Sequence, residues 1–425
     1  MSQGVPRDLL TLLEAQAAEA ADTPAIITEG GAVLSRTDVL EWAAAVACDL
    51  RAEARAEAGR PRIGIALPNG SDLALMLLGA MLAGVAVPFN PALGGEDAAA
   101  ALARSRIDLL VAATARDDLA ITSAAARLGI PILHRSAIAA VSATTKRPPR
   151  PEPEDTAVIL MTSGSTGGGK RVPLSHRNIC VSANDVARSM KLGPGDCCLS
   201  MWEQHHIGGV VDLLLAPLVS GGSVVMTRGF DAAKFFDLVP EVRPTWFQGV
   251  PATLAELVLQ ARRRGHRGGG SLRLIRSVAA ALPPSGLAEL EEVFGVSVIQ
   301  TFGMTEASPL ITSTALPPAR RKPGSVGRAC GPAIRTLGTD GRDMAQGEVG
   351  QIAIRGENVF AGYEDDPAAN AQAFRDGWFL TGDLGRFDAE GDLFLTGRLK
   401  QLINRGGEKV APDEIDAVLT DHPAI

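Results

Sequence analysis

Residues 162–170 read T-S-G-S-T-G-G-G-K, four glycines and four hydroxyl side chains closed by a lysine. Those types in that order suit a phosphate chain. Glycines let backbone N–H groups turn toward an anion and approach it closely. Thr162, Ser163, Ser165 and Thr166 add hydroxyl donors, Gly164 and Gly167 add unobstructed amides, and Lys170 adds a point charge. The run 164–170 satisfies G-x-x-x-x-G-K, but Arg171 stands where a triphosphatase loop has its magnesium-binding Ser or Thr. Pro173 pushes Val172 toward an extended conformation, so a helix is expected only later, over 176–190 with Ser175 as its cap. The apolar run 157–161 predicts a strand before the loop. The loop is therefore expected between two extended segments. A plain hairpin turn would need neither the hydroxyls nor the lysine.

Two further stretches carry chemistry. Residues 300–306, Q-T-F-G-M-T-E, follow a predicted strand and deliver Thr305 and Glu306 at a strand end, where α/β folds bind ligands. A carboxylate beside polyphosphate makes sense through a cation, and Mg2+ held by Glu306 meets that need. Capping a helix is the alternative use of Glu306. In 381–398, T-G-D-L-G-R-F-D-A-E-G-D-L-F-L-T-G-R, Asp383 is expected in a tight glycine turn. There it can accept from both hydroxyls of a ribose, with Arg398 able to reach the same sugar. Asp388, Glu390 and Asp392 read as hairpin-turn residues and lack the ligand spacing of a calcium loop.

The elements that must position these residues are legible as alternating helices and strands. Residues 37–56 predict a helix and 62–67 a strand. A buried helix over 71–83 and a strand over 84–89 follow, then a helix near 96–105 and a strand at 108–112. The alternation resumes after 156, with helices over 210–219, 251–261 and 284–294 between strands at 223–227, 274–278 and 297–300. The expected fold class is α/β, two doubly wound subdomains within a large N-terminal domain. From about 323 to 397 short strands and turns predict a small, antiparallel, β-barrel-like subdomain. The proline-rich run 146–156 reads as an exposed linker.

Composition narrows the function classes. A chain of 425 residues has room for two or three domains, and 46% hydrophobic with 21% charged residues suits a globular protein. A net charge of −7 and a single tyrosine, Tyr363, argue against nucleic-acid binding. The uncharged stretch 73–89 is broken by Gly79, Gly84 and Pro88 and is short for a membrane span. Five cysteines without C-x-x-C spacing, and no leader-like N-terminal pattern, point to reduced thiols and a cytoplasmic location.

Taken in order, these stretches resemble the adenylate-forming enzymes: acyl-CoA synthetases, luciferases and the adenylation domains of peptide synthetases. The resemblance covers essentially the whole chain. It includes I-A-L-P-N-G-S-D at 65–72, G-W-F-L-T-G-D at 377–383 and G-R-L-K-Q-L-I-N-R-G-G-E-K-V-A-P-D-E-I-D at 397–416. R-K-P-G-S-V-G at 321–327 and I-N-R-G-G-E-K at 403–409 make it most similar to oxalate-CoA ligase or fatty-acid-CoA ligase types.

The resemblance implies an ATP-dependent acid–thiol ligase. A carboxylate attacks the α-phosphate to give acyl-AMP and pyrophosphate, and a thiol then displaces AMP. Coenzyme A is the implied acceptor, with carrier-protein phosphopantetheine as the alternative. A kinase-type ATPase and a non-catalytic adenylate-binding protein are rival readings. By the same resemblance, residues 162–170 cradle the β- and γ-phosphates, Thr305 meets the α-phosphate and Glu306 holds Mg2+. Ala279, Ala280 and Ala281 line adenine, Phe302 stacks on it beside Gly303, and Asp383 with Arg398 binds ribose. His206 lies beside an acyl pocket walled by Trp202, Trp246, Val250 and Gly303. Glu203, Gln204 and His205 stand where relatives are less polar, which argues against a simple fatty acid.

Lys400 sits at a hinge, and Gly406 and Gly407 face the coenzyme A channel. Residues 1–397 form the large domain and 398–425 the hinge and start of a C-terminal domain. The late lysine of that domain has no counterpart, so impaired turnover is expected of this chain. The implied partners are a small carboxylic acid and ATP, with no nucleic acid or membrane span, and a homodimer is compatible with the family.

Overall fold

The computed structural model describes residues 5–54, 59–113, 120–138, 147–162, 169–401, 403–405, 408–410 and 412. The expectations for Ser163, Gly164, Ser165, Thr166, Gly167, Gly406 and Gly407 lie outside the described residues. The chain divides into two compact units, Met1–Asp231 with Phe360–Glu364, and Ala232–Val359 with Asp365–Ile425.

The first unit contains a sheet whose strands run, in spatial order, Ile132–His134, Leu109–Ala112, Arg62–Ala66, Val85–Pro88, Thr156–Met161 and Arg171–Ser175. All neighbours pair in parallel except the last two, which form an antiparallel hairpin. Strands covered on both faces read as continuous apolar runs, as Leu109–Ala112 and Val85–Pro88 do, buried at every position. The uncharged stretch resolves into the helix Ser71–Ala83, buried from Leu73 onward, and the following strand. No helix among the described residues is long and apolar enough to cross a membrane. Cys197–Ser200, Ser223–Met226 and Pro24–Thr28 form a second parallel set, edged by the antiparallel strand Val33–Ser35.

The helix His176–Ser189 begins where its cap predicts. Ser175 Oγ accepts from the Asn178 amide, and Asn178 returns the bond to the Ser175 amide. Two expectations shift. Residues expected to wind as one α-helix over 210–219 form a π-helix, Gly208–Leu215, continued by Ala216–Val219. The proline-rich connector is exposed at Arg147, Pro149, Arg150, Glu152 and Glu154, as expected, but Pro148 and Pro151 are buried. Arg150 donates to Thr11 Oγ1 at 2.6 Å and pairs with Glu14, so the segment is fastened along the helix Leu9–Glu19.

The second unit builds its core on three parallel strands, Trp246–Gly249, Leu274–Ser277 and Ser297–Gly303. Helices Pro251–Arg263 and Pro284–Phe294 make the crossovers. The first of these buries Leu254, Leu257, Val258 and Ala261, the stripe its i, i+3, i+4, i+7 spacing predicts. Leu310–Ser313 and Arg328–Ala329 extend this sheet in antiparallel sense. The small antiparallel sheet expected from the late texture is present, in the order Ala333–Leu337, Gly350–Arg355, Trp378–Phe387 and Phe374–Arg375, with Leu393–Arg398 also on Trp378–Phe387. Leu337, Ala353 and Trp378 form its core.

Candidate active site

In the first unit the two strands that frame the phosphate-type loop meet at its neck. Met161 pairs with Arg171, and the Thr162 amide donates to the Lys170 carbonyl at 3.0 Å. A Cβ at Gly169 would sit 2.3 Å from the Thr162 carbonyl oxygen, so this neck closes only around glycine. The strands on either side of the loop are thus joined at one hydrogen-bonded neck, between Thr162 and Lys170. That anchoring is what a loop folded around an anion requires of its frame.

Lys170 is half-buried, and its ammonium stands 4.1 Å from the centroid of the Tyr363 ring. The segment Phe360–Glu364 is bound to the hairpin beside it. The Glu364 amide donates to the Arg171 carbonyl at 3.1 Å. The Glu364 carboxylate lies 2.8 Å from Arg171 Nε in an ion pair and accepts from both terminal nitrogens of Arg62.

The run before the π-helix separates into two roles. Gln204 is buried: its amide donates to Asn69 Oδ1 at 3.0 Å, and its Oε1 accepts from the Gly70 amide at 2.6 Å. It ties the run to the 65–72 stretch. Glu203 and His206 are exposed, with His206 Nε2 3.5 Å from Glu203 Oε2 and the His206 ring 4.3 Å from that of His205. Burial, with the neighbouring His206, lowers the His205 imidazole to about 4. Ligand atoms of Glu203, His205 and His206 all lie within 4.8 Å of one another, an arrangement that a divalent cation could take up.

In the second unit the candidate residues gather by strand topology. Val250 follows Trp246–Gly249, Ala280 and Ala281 follow Leu274–Ser277, and Thr305 and Glu306 follow Ser297–Gly303. Gly249 pairs with Ser277 and Ser277 with Gln300, so these three carboxyl ends share one edge of the sheet. That edge is where parallel sheets bind ligands. Ala280 and Ala281 are exposed, and Ala279 is held at φ +67°, a left-handed conformation costly for a residue with a Cβ. Phe302 is buried, and Gly303 packs against the Pro309 carbonyl. Thr305 is half-buried and Glu306 buried, on the 3-10 turn Thr305–Ala307. Trp246 lies at the other end of its strand from Val250 and is fully buried.

Asp383 is not in a turn, as its Gly-Asp sequence suggests. It lies inside the strand Trp378–Phe387, where a register shift sets residues 381–383 opposite Ile352 alone, with Gly382 at φ +80°. This is a bulge, which aims a side chain differently from the regular pleat. The Asp383 amide donates to Thr381 Oγ1 at 3.1 Å and its Oδ1 accepts from Arg398 Nε at 2.8 Å. Its Oδ2 is buried and accepts no hydrogen bond from the described residues. Burial pushes the carboxyl above its ordinary range, Arg398 and Thr381 pull it back, and the charge of Glu306 adds to the rise. A buried acceptor left unmet costs about 1–3 kcal/mol, a cost that a hydroxyl donor would relieve. Two buried carboxylates that feel one another suit a cation and a sugar diol.

The hairpin residues behave as the turn reading expects. Asp388 accepts from the Glu390 and Asp392 amides, and Lys322 of the 321–327 stretch binds Asp388 and Glu390. Lys400 is exposed on the 3-10 turn Leu399–Gln401. Three supporting residues carry no signal in the sequence. Tyr363 and Glu364 reach the loop from far along the chain. Buried Asn358 donates from Nδ2 to the carbonyls of Ala307 and Leu310, both at 2.9 Å, and so fixes the turn that carries Glu306.

With this geometry in place, comparison with known proteins adds relatives. A family model described as AMP-binding enzyme matches residues 13–364. The sulfoacetate–CoA ligase of Cupriavidus necator is 39% identical over 375 residues, which cover 85% of this chain and 73% of that protein. The oxalate–CoA ligase of Saccharomyces cerevisiae is 41% identical over 273 residues, covering 64% of this chain and 50% of that protein. Among solved structures, ATP-bound MatB from Rhodopseudomonas palustris matches with a TM-score of 0.88 and 28% identity, over 97% of this chain and 84% of that one.

Proposed function

The chain belongs to the AMP-binding enzyme family, and we propose that it activates a carboxylic acid with ATP as the acyl-adenylate and transfers the acyl group to the thiol of coenzyme A. The observation that carries this reading is Asp383, a buried carboxylate with one oxygen held by Arg398 and the other unmet, which feels the charge of Glu306. A carboxylate is a poor electrophile, and esterification to AMP supplies a good leaving group. The work left to protein groups is positioning and the stabilisation of a crowded anionic phosphorus.

In this reading Lys170 and the amides and hydroxyls of 162–167 hold the β- and γ-phosphates, and Thr305 meets the α-phosphate. Asp383 and Arg398 bind the ribose diol, and Ala280, Ala281, Phe302 and Gly303 border the adenine. Mg2+ would be held by Glu306 and would neutralise phosphate charge. Val250, Gly303 and His206 border the acyl group, and the exposed Lys400 acts as hinge between a large domain, residues 1–397, and the segment that follows. Gly406 and Gly407 face the thiol's channel. The two ligases above act on small acids that carry a second anionic group, and the substrate class proposed here is the same. A cytoplasmic setting suits five cysteines that form no disulfide. Loading of a carrier-protein phosphopantetheine is the second reading, because that acceptor ends in the same thiol as coenzyme A.

The test offers sulfoacetate, oxalate and other small carboxylic acids with ATP, Mg2+ and coenzyme A. AMP, pyrophosphate and an acyl-CoA thioester are the expected products. ADP and orthophosphate would refute adenylation, and pyrophosphate without thioester would restrict the protein to the first half-reaction.

A further inference from the structure

We infer that Tyr363 is a positioning residue for Lys170, holding its ammonium at the neck of the phosphate loop before nucleotide arrives. This inference rests on the proposed ATP chemistry. The Tyr363 ring is the surface that Lys170 meets: Nζ lies 4.1 Å from the ring centroid, and the ring is only 7% exposed. Phe360 supports the ring edge-on at 4.9 Å.

The contact is not left to two mobile side chains. The residue after Tyr363 bonds to the residue after Lys170 through the backbone, and the Glu364 carboxylate holds the Arg171 and Arg62 guanidiniums. Ring and hairpin are thus fixed to one another by the residues that directly follow the contact. An aromatic face attracts an ammonium without neutralising it, whereas a carboxylate partner would compete with the phosphate. Lysine loses much rotamer freedom when it is pinned. A lysine already pinned, with its charge intact, binds phosphate with less of that loss still to come.

Tyr363 is the single tyrosine of the chain, so 3-fluorotyrosine labels one site. Lys170→Ala is expected to shift the 19F resonance of nucleotide-free protein, and an unmoved resonance overturns the inference. By calorimetry, Tyr363→Leu should weaken ATP binding about 2–30-fold, the range of a cation–π contact, while Tyr363→Phe retains wild-type affinity. In the Lys170→Ala background Tyr363→Leu should add nothing, because both changes remove one interaction. Equal losses in both backgrounds would show that Tyr363 acts on ATP by another route and would overturn the inference while leaving the ATP reading intact. Wild-type protein that binds no ATP overturns both. Should Tyr363→Leu fail to fold, the fluorine measurement on Lys170→Ala decides.

Discussion

Asp383 and Arg398 stand directly opposite one another on antiparallel strands, and the pair leaves one buried carboxylate oxygen without a donor. The hairpin around Asp388 would set Asp383 opposite Gly397; a register shift between Leu384 and Gly385 brings it opposite Arg398 instead, and Asp383 is buried while Arg398 stays 60% exposed. The two residues therefore contribute unequally. Because its folded carboxyl is raised above the ordinary value, ionised Asp383 works against the nucleotide-free fold. Stability falls as pH rises from the ordinary carboxylate value through the raised one.

Asp383→Asn is thus expected to be at least as stable as wild type at pH 7, while its affinity for ATP and AMP drops about tenfold or more with loss of a charge-assisted bond. Arg398→Ala should cost less in stability than a buried ion pair would, because an exposed partner contributes little. Thermal melts and nucleotide titrations of both variants check this. A strongly destabilised Asp383→Asn with normal nucleotide affinity would make the residue structural.

Asn358 is expected to act on Mg2+ dependence from a position that touches no phosphate. Its side-chain amide satisfies the carbonyls of Ala307 and Leu310 on either side of the segment that follows Glu306. Asn358→Ala removes a donor from both carbonyls, a cost of about 1–3 kcal/mol for each one left unmet. The turn then relaxes toward other donors and takes Glu306 with it. The Mg2+ concentration needed for half-maximal activity should rise several-fold, with the KM for the acid changed less. A variant that melts earlier but keeps the wild-type Mg2+ curve would confine Asn358 to holding the fold.

The legible parts of this chain were those whose causes are local. Arg171 and Pro173 exclude a helix after the loop, and the strand Arg171–Ser175 follows from them. Ser175 and Asn178 form the capping box that starts the next helix. Thr305 and Glu306 follow a strand end because the apolar run before them stops there. What was not legible depends on pairing at a distance. Gly382-Asp383 is a turn dipeptide by composition, and only the strands on either side convert it into a bulge. The proline-rich run is exposed as its composition suggests, but nothing local in it announces that Arg150 binds Thr11 and Glu14. Tyr363, Glu364 and Asn358 are ordinary residues locally, and they gain meaning from partners that the sheet topology brings beside them.

His176 gives the first unit a defined acid sensitivity. It is fully buried at the start of its helix, with Nδ1 3.4 Å from the Leu9 amide and Nε2 3.1 Å from an Arg60 nitrogen. Burial first, and the Arg60 charge second, lower its imidazole to about 3. A histidine depressed in the fold is neutral there and takes up a proton more readily once unfolded. Its stabilising contribution is therefore complete above the unfolded value near 6.5 and is lost as pH falls toward 3. Within that window the slope approaches about 1.4 kcal/mol per pH unit. Carboxylates titrate mainly in its lower part, and His205, lowered to about 4, adds a slope of its own between pH 6.5 and 5, so the difference between wild type and a His176 variant over that interval isolates His176. Denaturant unfolding across that interval should show wild type losing stability more steeply than His176→Leu, which is less stable at pH 7 for want of polar partners and keeps only the shallower slope of His205. Parallel curves for the two proteins would mean that His176 is not the group responsible.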